Sequence, residues 1–262
     1  MELPLGIVLK GIDAFLLVFV RMTGLFVISP IFGRRNMPAY LKIGFSFLLA
    51  LITVNMISVP DLEYYNSIYH YALLIFKEFM VGVTLGYISY MVFSAIYMAG
   101  ELIDMQIGFG VVNVLDPMSN IQVPITSNFY FIMSMLVFLA VNGHHTLIKA
   151  LFESYKYVPL GGAVFNDNLM EDIIRIFGNI FVIGFKIAAP ITAAILITDV
   201  ALGVVSKTVP QLNVFVVGMP LKIFLGIAVM MITIPMFIML LETLFDSMDS
   251  ETLNFLKDMG QK

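Results

Sequence analysis

Residues Glu101–Pro124 read ELIDMQIGFGVVNVLDPMSNIQVP, and the rest of the chain is organised around them. Apolar sequence lies on both sides. The stretch holds Glu101, Asp104 and Asp116 but no Lys or Arg. Gly108, Gly110, Asn113 and Asn120 are mixed with bulky apolar residues, and Pro117 and Pro124 punctuate them. Glycine permits close backbone approach and unusual dihedrals. Proline removes a donor and disfavours helix just before it. The pattern therefore predicts that apolar helix breaks here into an ordered, non-helical loop. At membrane depth such a loop persists only when buried in protein or lining a watery cavity. The alternative is an external connection between two spans.

The flanking sequence sets the class. The 262 residues are 60% hydrophobic and 12% charged, with a mean hydropathy of +0.97. A water-soluble domain carries about twice that charged fraction. The chain therefore reads as an integral membrane protein or a subunit buried in a membrane assembly. Its net charge is −4 and it has no basic tract, so nucleic acid is not an expected partner. Cysteine is absent, which removes disulfides and thiolate metal sites. The start, MELPLGIVLKGID, lacks a basic n-region and a small-residue cleavage pattern, and reads as part of the mature protein.

Four charge-free runs stand out: Ile43–Pro60, Phe79–Gly100, Pro117–Ile148 and Ile223–Leu241. Gly11–Ser29 and Ile173–Ser206 are apolar but contain charges. That gives about six hydrophobic helices. Lys186 and Asp199 count against simple lipid-facing spans. Nine Ile, Val, Leu or Phe residues in Ile183–Leu202 gain on the order of 0.5 kcal/mol each. Each charge costs up to roughly 3 kcal/mol at the bilayer centre. Pro190 predicts a kink between them. Alternating the connections puts five Lys/Arg on one side and seven on the other, too small a bias to orient the chain. Helices packed mainly against protein explain both facts. Tyr155–Asp172 reads as a polar hinge, with Asp167 or Asn168 capping a helix near Leu169. Glu242–Lys262 reads as a solvated amphipathic helix, or else a partner-docking one.

Several motifs admit a bland and a functional reading. Gly82 and Gly86 are spaced to let another helix approach, although glycine is common in apolar segments. Lys77 and Glu78 read as an interfacial pair or as snorkelling ends at a helix mouth. Asn142-Gly143-His144-His145 lacks the i, i+4 histidine spacing and the cysteines of a metal site. It reads instead as a helix C-cap, with the imidazoles at the negative end of the dipole. Glu101 and Asp104 share a helical face, yet no nucleophile, phosphate loop or cofactor motif accompanies them. An intramembrane aspartyl protease would have only Asp13 and Asp199 to use. The 19 Met and 23 Phe are core filler or, around a pore, a water-excluding seal.

Three separated segments carry a resemblance: KEFMVGVTLGYISYMVFSAIYMAGELIDMQIGFGVVNVLDP (77–117), NGHHTLIKAL (142–151) and AAPITAAILITDVALGVVSKTVPQLNVFVVGMPLKI (188–223). Together and in this order they resemble the FliR family, the R subunits of the type III secretion export gate, over about residues 5–255. NGHH and the long central loop are closer to the flagellar than to the injectisome branch. The resemblance implies an all-α, membrane-associated bundle of long hydrophobic helices and hairpins. Residues 1–159 would be P-subunit-like, 160–172 a hinge, and 173–262 a Q-subunit-like hairpin with an amphipathic tail, MPLKI matching the Q-type Pro-Lys signature.

The resemblance also implies the role and the company. With P-type and Q-type subunits, the chain would form the channel for unfolded export substrates in the bacterial inner membrane, within the flagellar basal body. Further partners would be the B-type switch subunit and the A-type export subunit. The family's plug loop maps onto Met105–Val123. Its core is Met105, Gln106, Ile107, Gly108, Phe109, Gly110, Val111, Val112, Asn113, Val114, Leu115, Asp116, Pro117 and Met118, with Phe109 and Met118 blocking the lumen. Arg21, Glu78, Lys186, Asp199 and Lys222 are candidates for interhelix or intersubunit ion pairs. No catalytic residue, cofactor or metal is expected. The alternatives are an injectisome gate subunit and a secondary transporter with its own midplane site.

Overall fold

A computed structural model describes residues 5–34, 37–57, 68–109, 124–211 and 213–260, with side chains from Lys10 onward. Among the described residues there are seven α-helices and no strands. They are α1 (Leu5–Ile28), α2 (Ala39–Val54), α3 (Ile68–Ile107), α4 (Ile125–Ala140), α5 (Gly143–Tyr157), α6 (Asp167–Thr208) and α7 (Val214–Gly260). Four of them, α1, α3, α6 and α7, are long and apolar enough to cross a bilayer, and five spans result if α4 and α5 count as one broken span.

Three sequence expectations change on contact with the structure. The run Pro117–Ile148 is not one helix. It breaks at Asn142, whose φ of 59° is left-handed, and His144 and His145 fall in the first turn of α5. The imidazoles therefore sit at the positive end of a dipole, because Asn142 starts the following helix. The helix near Leu169 is capped by Asn166, whose Oδ1 accepts the Leu169 N–H at 3.2 Å. Neither Asp167 nor Asn168 does so, since both already lie inside α6. The tail after Glu242 continues α7 without a break, and Phe245, Met248, Phe255, Leu256 and Met259 are buried. Its amphipathic stripe is covered by this chain and is not a solvated tail.

The chain packs as two compact units. The first comprises Met1–Met91, Asn142–Ile176 and Asp246–Lys262. In it Ala14, Leu17, Val18, Met22, Leu25 and Phe26 recur at helical spacing and are fully buried. They let α1 lie directly on α3. A Cβ on Gly24 would stand 2.6 Å from the Phe79 carbonyl oxygen, and one on Gly86 3.0 Å from that of Leu25. Gly82 meets the Arg21 carbonyl more closely still. Only residues without a side chain allow this backbone approach. The end of α7 closes the unit: Val164 N–H donates to the Met259 carbonyl at 3.0 Å, and Gly260 packs on Tyr157.

The second unit comprises Val92–Val141 and Phe177–Phe245. Its core is a triad of rings from α3, α4 and α7. Phe93, Phe138 and Phe245 lie with centroids 5.0–5.7 Å apart, within the range in which aromatic pairs add to plain area burial. Tyr130 stacks on Phe237 at 4.4 Å. Small residues again set close approaches: Gly100 against Ser127 and Gly184 against Ala95. Within this unit α6 runs through Pro190, and α7 through Pro220 and Pro235, without interruption.

Candidate functional site

Among the described residues, each unit has a buried polar construction within its apolar packing. In the second unit the site is the root of the central loop. The loop was expected to leave helical geometry at Met105. Instead Glu101, Asp104, Met105, Gln106 and Ile107 complete the last turns of α3, because nothing before Gly108 breaks a helix. Gly108 then takes φ 97°, which ends the helix, and its N–H and that of Phe109 both donate to the Asp104 carbonyl at 3.1 Å. Gly110, Val111, Val112, Asn113, Val114, Leu115, Asp116, Pro117 and Met118, and the loop as far as Val123, lie outside the described residues.

The chain re-enters helix at Ile125. The residue before it, Pro124, has no side-chain acceptor to cap α4. Asp104 does this from the opposite side of the loop. Its carboxylate oxygens accept the Thr126 N–H at 3.0 and 3.1 Å, and the group is buried. An anion at a helix N-terminus gains from both the orphan donor and the dipole. The two ends of the loop are thereby held together by one carboxylate. Glu101, its partner in the i, i+3 reading, is exposed, so the two acids do not form a shared acid–base face.

Beside the root lies a groove of about 460 Å³ lined by Met105, Ile107, Leu202, Phe215 and Met219, with Asp199 and Lys222 at its polar edge. Lys222 Nζ forms an ion pair with Asp199 Oδ1, across the α6–α7 hairpin. The two mid-helix charges on α6 therefore differ. Asp199 is neutralised within the chain. Lys186 is exposed and forms no ion pair among the described residues.

In the first unit the site is Arg21, on α1, with Glu78, on α3. Both are fully buried. Arg21 Nε donates to Glu78 Oε2 at 2.6 Å. Arg21 Nη1 donates to Ser154 Oγ and to the Val158 carbonyl, each at 3.0 Å. The guanidinium lies 4.1 Å from the Tyr155 ring centre, a cation–π distance. Glu78 Oε1 accepts the Gly161 N–H at 2.7 Å, and Gly161 itself has φ 73°. The pair thus ties α1, α3, α5 and the segment leading to α6 around two opposite charges. Glu78 is ten residues into α3, so the expected interfacial pair with Lys77 at a helix mouth does not form. The cation that faces Glu78 is Arg21.

Ser154, Tyr155, Gly161 and Thr126 had no signal in the sequence that marked them as part of a site. Among the described residues no group of three or more His, Cys, Asp or Glu is placed to hold a metal ion.

Residues 12–248 match the model of a family described as bacterial export proteins, family 1. The chain is 40% identical over 243 residues to the flagellar biosynthetic protein FliR of Bacillus subtilis, covering 92% of this chain and 93% of that one. It is 30% identical over 248 residues to the protein of the same name from Pectobacterium carotovorum, covering 95% and 93%. Against the Escherichia coli counterpart it is 28% identical over 252 residues, covering 96% and 94%. With a family match across nearly its whole length, and these three relatives all FliR proteins, the chain belongs to the bacterial export proteins, family 1.

Proposed function

We propose that this chain is the R subunit of the flagellar export gate, a structural subunit that builds a polypeptide-conducting channel with P-type and Q-type subunits. One observation carries the reading: the second unit exposes an apolar surface longer than the hydrocarbon of a bilayer is thick. Phe177, Phe185, Ile197, Val200 and Val204 of α6 are all half or more exposed. They span about 40 Å at the α-helical rise. The hydrocarbon of a bilayer is about 30 Å thick. On α7 only 11% of the most apolar stretch is buried within the chain, against 56% on α3. An exposed apolar surface this extensive marks a site of contact with other protein. The names of the relatives support the flagellar branch.

In this reading the family's B-type and A-type subunits are neighbours, the inner membrane and flagellar basal body are the location, and unfolded export substrates pass through. The segment from Met105 to Val123 is the resting plug, with its ends held by Asp104. The role is conduction and assembly, not catalysis. Co-expression with P-type and Q-type subunits tests it. The three should co-purify in detergent, and the isolated chain should be poorly soluble. A stable, transport-competent homomer of this chain would instead establish a transporter.

A further inference from the structure

The charge at Lys186 has no counterpart among the described residues, and its surroundings state what the counterpart must be. Lys186 lies on the exposed face of α6, one turn after Val182 and next to Phe185, both half or more exposed. No ion pair reaches it among the described residues. The other charge in the middle of α6, Asp199, is neutralised by Lys222. Lys186 is therefore the charge in the middle of α6 that no ion pair neutralises among the described residues.

Lipid does not resolve this. If hydrocarbon begins at Phe177, Lys186 lies about 14 Å deep at the helical rise, near the midplane, where an ammonium is costly. If hydrocarbon ends at Val204, it begins just before Lys186, and the amine can snorkel to headgroups. That placement leaves Phe177, Phe181 and Val182 in water. Cover by protein is the arrangement that satisfies both the ammonium and the rings.

We propose that Lys186 is an intersubunit pairing site, and that its partner is an Asp or Glu carried on an otherwise apolar helix of a neighbouring gate subunit. The inference rests on the assembly proposed above and names the chemistry of one contact in it. The phenyl and valyl groups around Lys186 exclude water, so the pair is stronger than a surface ion pair and selects the register of the incoming helix. Removing the ammonium leaves the partner's carboxylate buried and uncompensated.

The test uses the full gate, purified with P-type and Q-type subunits and treated with a membrane-permeant carbodiimide. That reagent joins an amine to a carboxylate only when they are already in contact. Peptide mapping should find Lys186 joined to an Asp or Glu of another subunit type. The adduct should vanish in Lys186→Arg, whose guanidinium keeps the charge but does not form the amide. Lys186→Arg should still assemble. Lys186→Met should weaken retention in the complex by about thirty-fold or more, as expected for breaking a desolvated pair. A co-purifying wild-type gate with no Lys186 adduct overturns the pairing and leaves the proposed function standing. So does an adduct to Glu242 or any other acid of this chain, to a second copy of it, or a Lys186→Met gate as stable as wild type. A chain that does not co-purify with the other subunits overturns both.

Discussion

Arg21 and Glu78 are buried together at a cost that only their mutual contacts offset. Taking one away is worse than taking both, because the survivor keeps its desolvation without its partner. Arg21→Met should therefore destabilise the folded chain by about 3–5 kcal/mol. Adding Glu78→Gln should recover part of that loss, since the glutamine still accepts the Gly161 N–H but carries no charge. Thermal unfolding of the detergent-solubilised variants checks the order, and a double variant no more stable than Arg21→Met would refute the argument. Asp104 works on a smaller scale. Asp104→Ala leaves the Thr126 N–H uncapped at the start of α4, costing about 0.5–2 kcal/mol. Amide exchange in the first turn of α4 should rise by roughly 2–30-fold, while exchange in α1 stays unchanged. The sequence marked Arg21 and Glu78 as charges in need of partners. It did not mark them for each other, because they are 57 positions apart and nothing local records that α1 and α3 meet there. Ser154 and Gly161 were illegible for the same reason: each is an ordinary residue locally and acquires its role only from what folds against it.

Helices were the most legible level, because long apolar stretches identify themselves, but their ends were not. Apolar content runs unbroken from Pro117 to Ile148, so hydrophobicity alone joined α4 to α5. The Asn-Gly inside it was the true boundary, and its left-handed Asn142 was readable as a cap but not as the start of the next helix. At the end of α3 the loop was expected to begin slightly too early: Gly108 stops the helix, while Met105–Ile107 has no reason to leave it. The glycine spacing in α3 has a direct consequence. Gly82 and Gly86 face Gly24 and the carbonyls of α1 with no room for a Cβ. Backbone cannot move aside as a flexible side chain can. Gly82→Leu should force α1 and α3 apart, at a cost of about 3 kcal/mol or more. The expected result is a sharp fall in complex yield and in motility. Gly178, where a Cβ would meet no atom within 4 Å, supplies the internal control, and Gly178→Ala should leave the isolated chain's stability unchanged or slightly raised. Equal effects at both positions would refute the close-packing argument.

At the scale of the whole molecule, the proposed channel creates its own difficulty. A conduit wide enough for a polypeptide passes ions at rest unless something fills it. The segment after Phe109 carries Val111, Val112, Val114 and Leu115, with no Lys or Arg as far as Pro124. Apolar side chains at a constriction exclude water. Its two ends are joined by the Asp104 contact to Thr126, so the length between them can change without disturbing the helices that bear the subunit. Removing residues from Gly110 to Leu115 should therefore spare Gly108, Asp104 and assembly. It should raise sodium and small-solute entry into cells that express the complete gate. Growth and dye uptake in high salt measure this, with wild-type gate at equal abundance as the reference. Asp104→Ala should leak less than the deletion and more than wild type, because it loosens the ends of the loop but removes none of its apolar groups. An assembled deletion variant that stays tight would move the resting seal away from this loop and onto another ring of apolar side chains, contributed by the partner subunits.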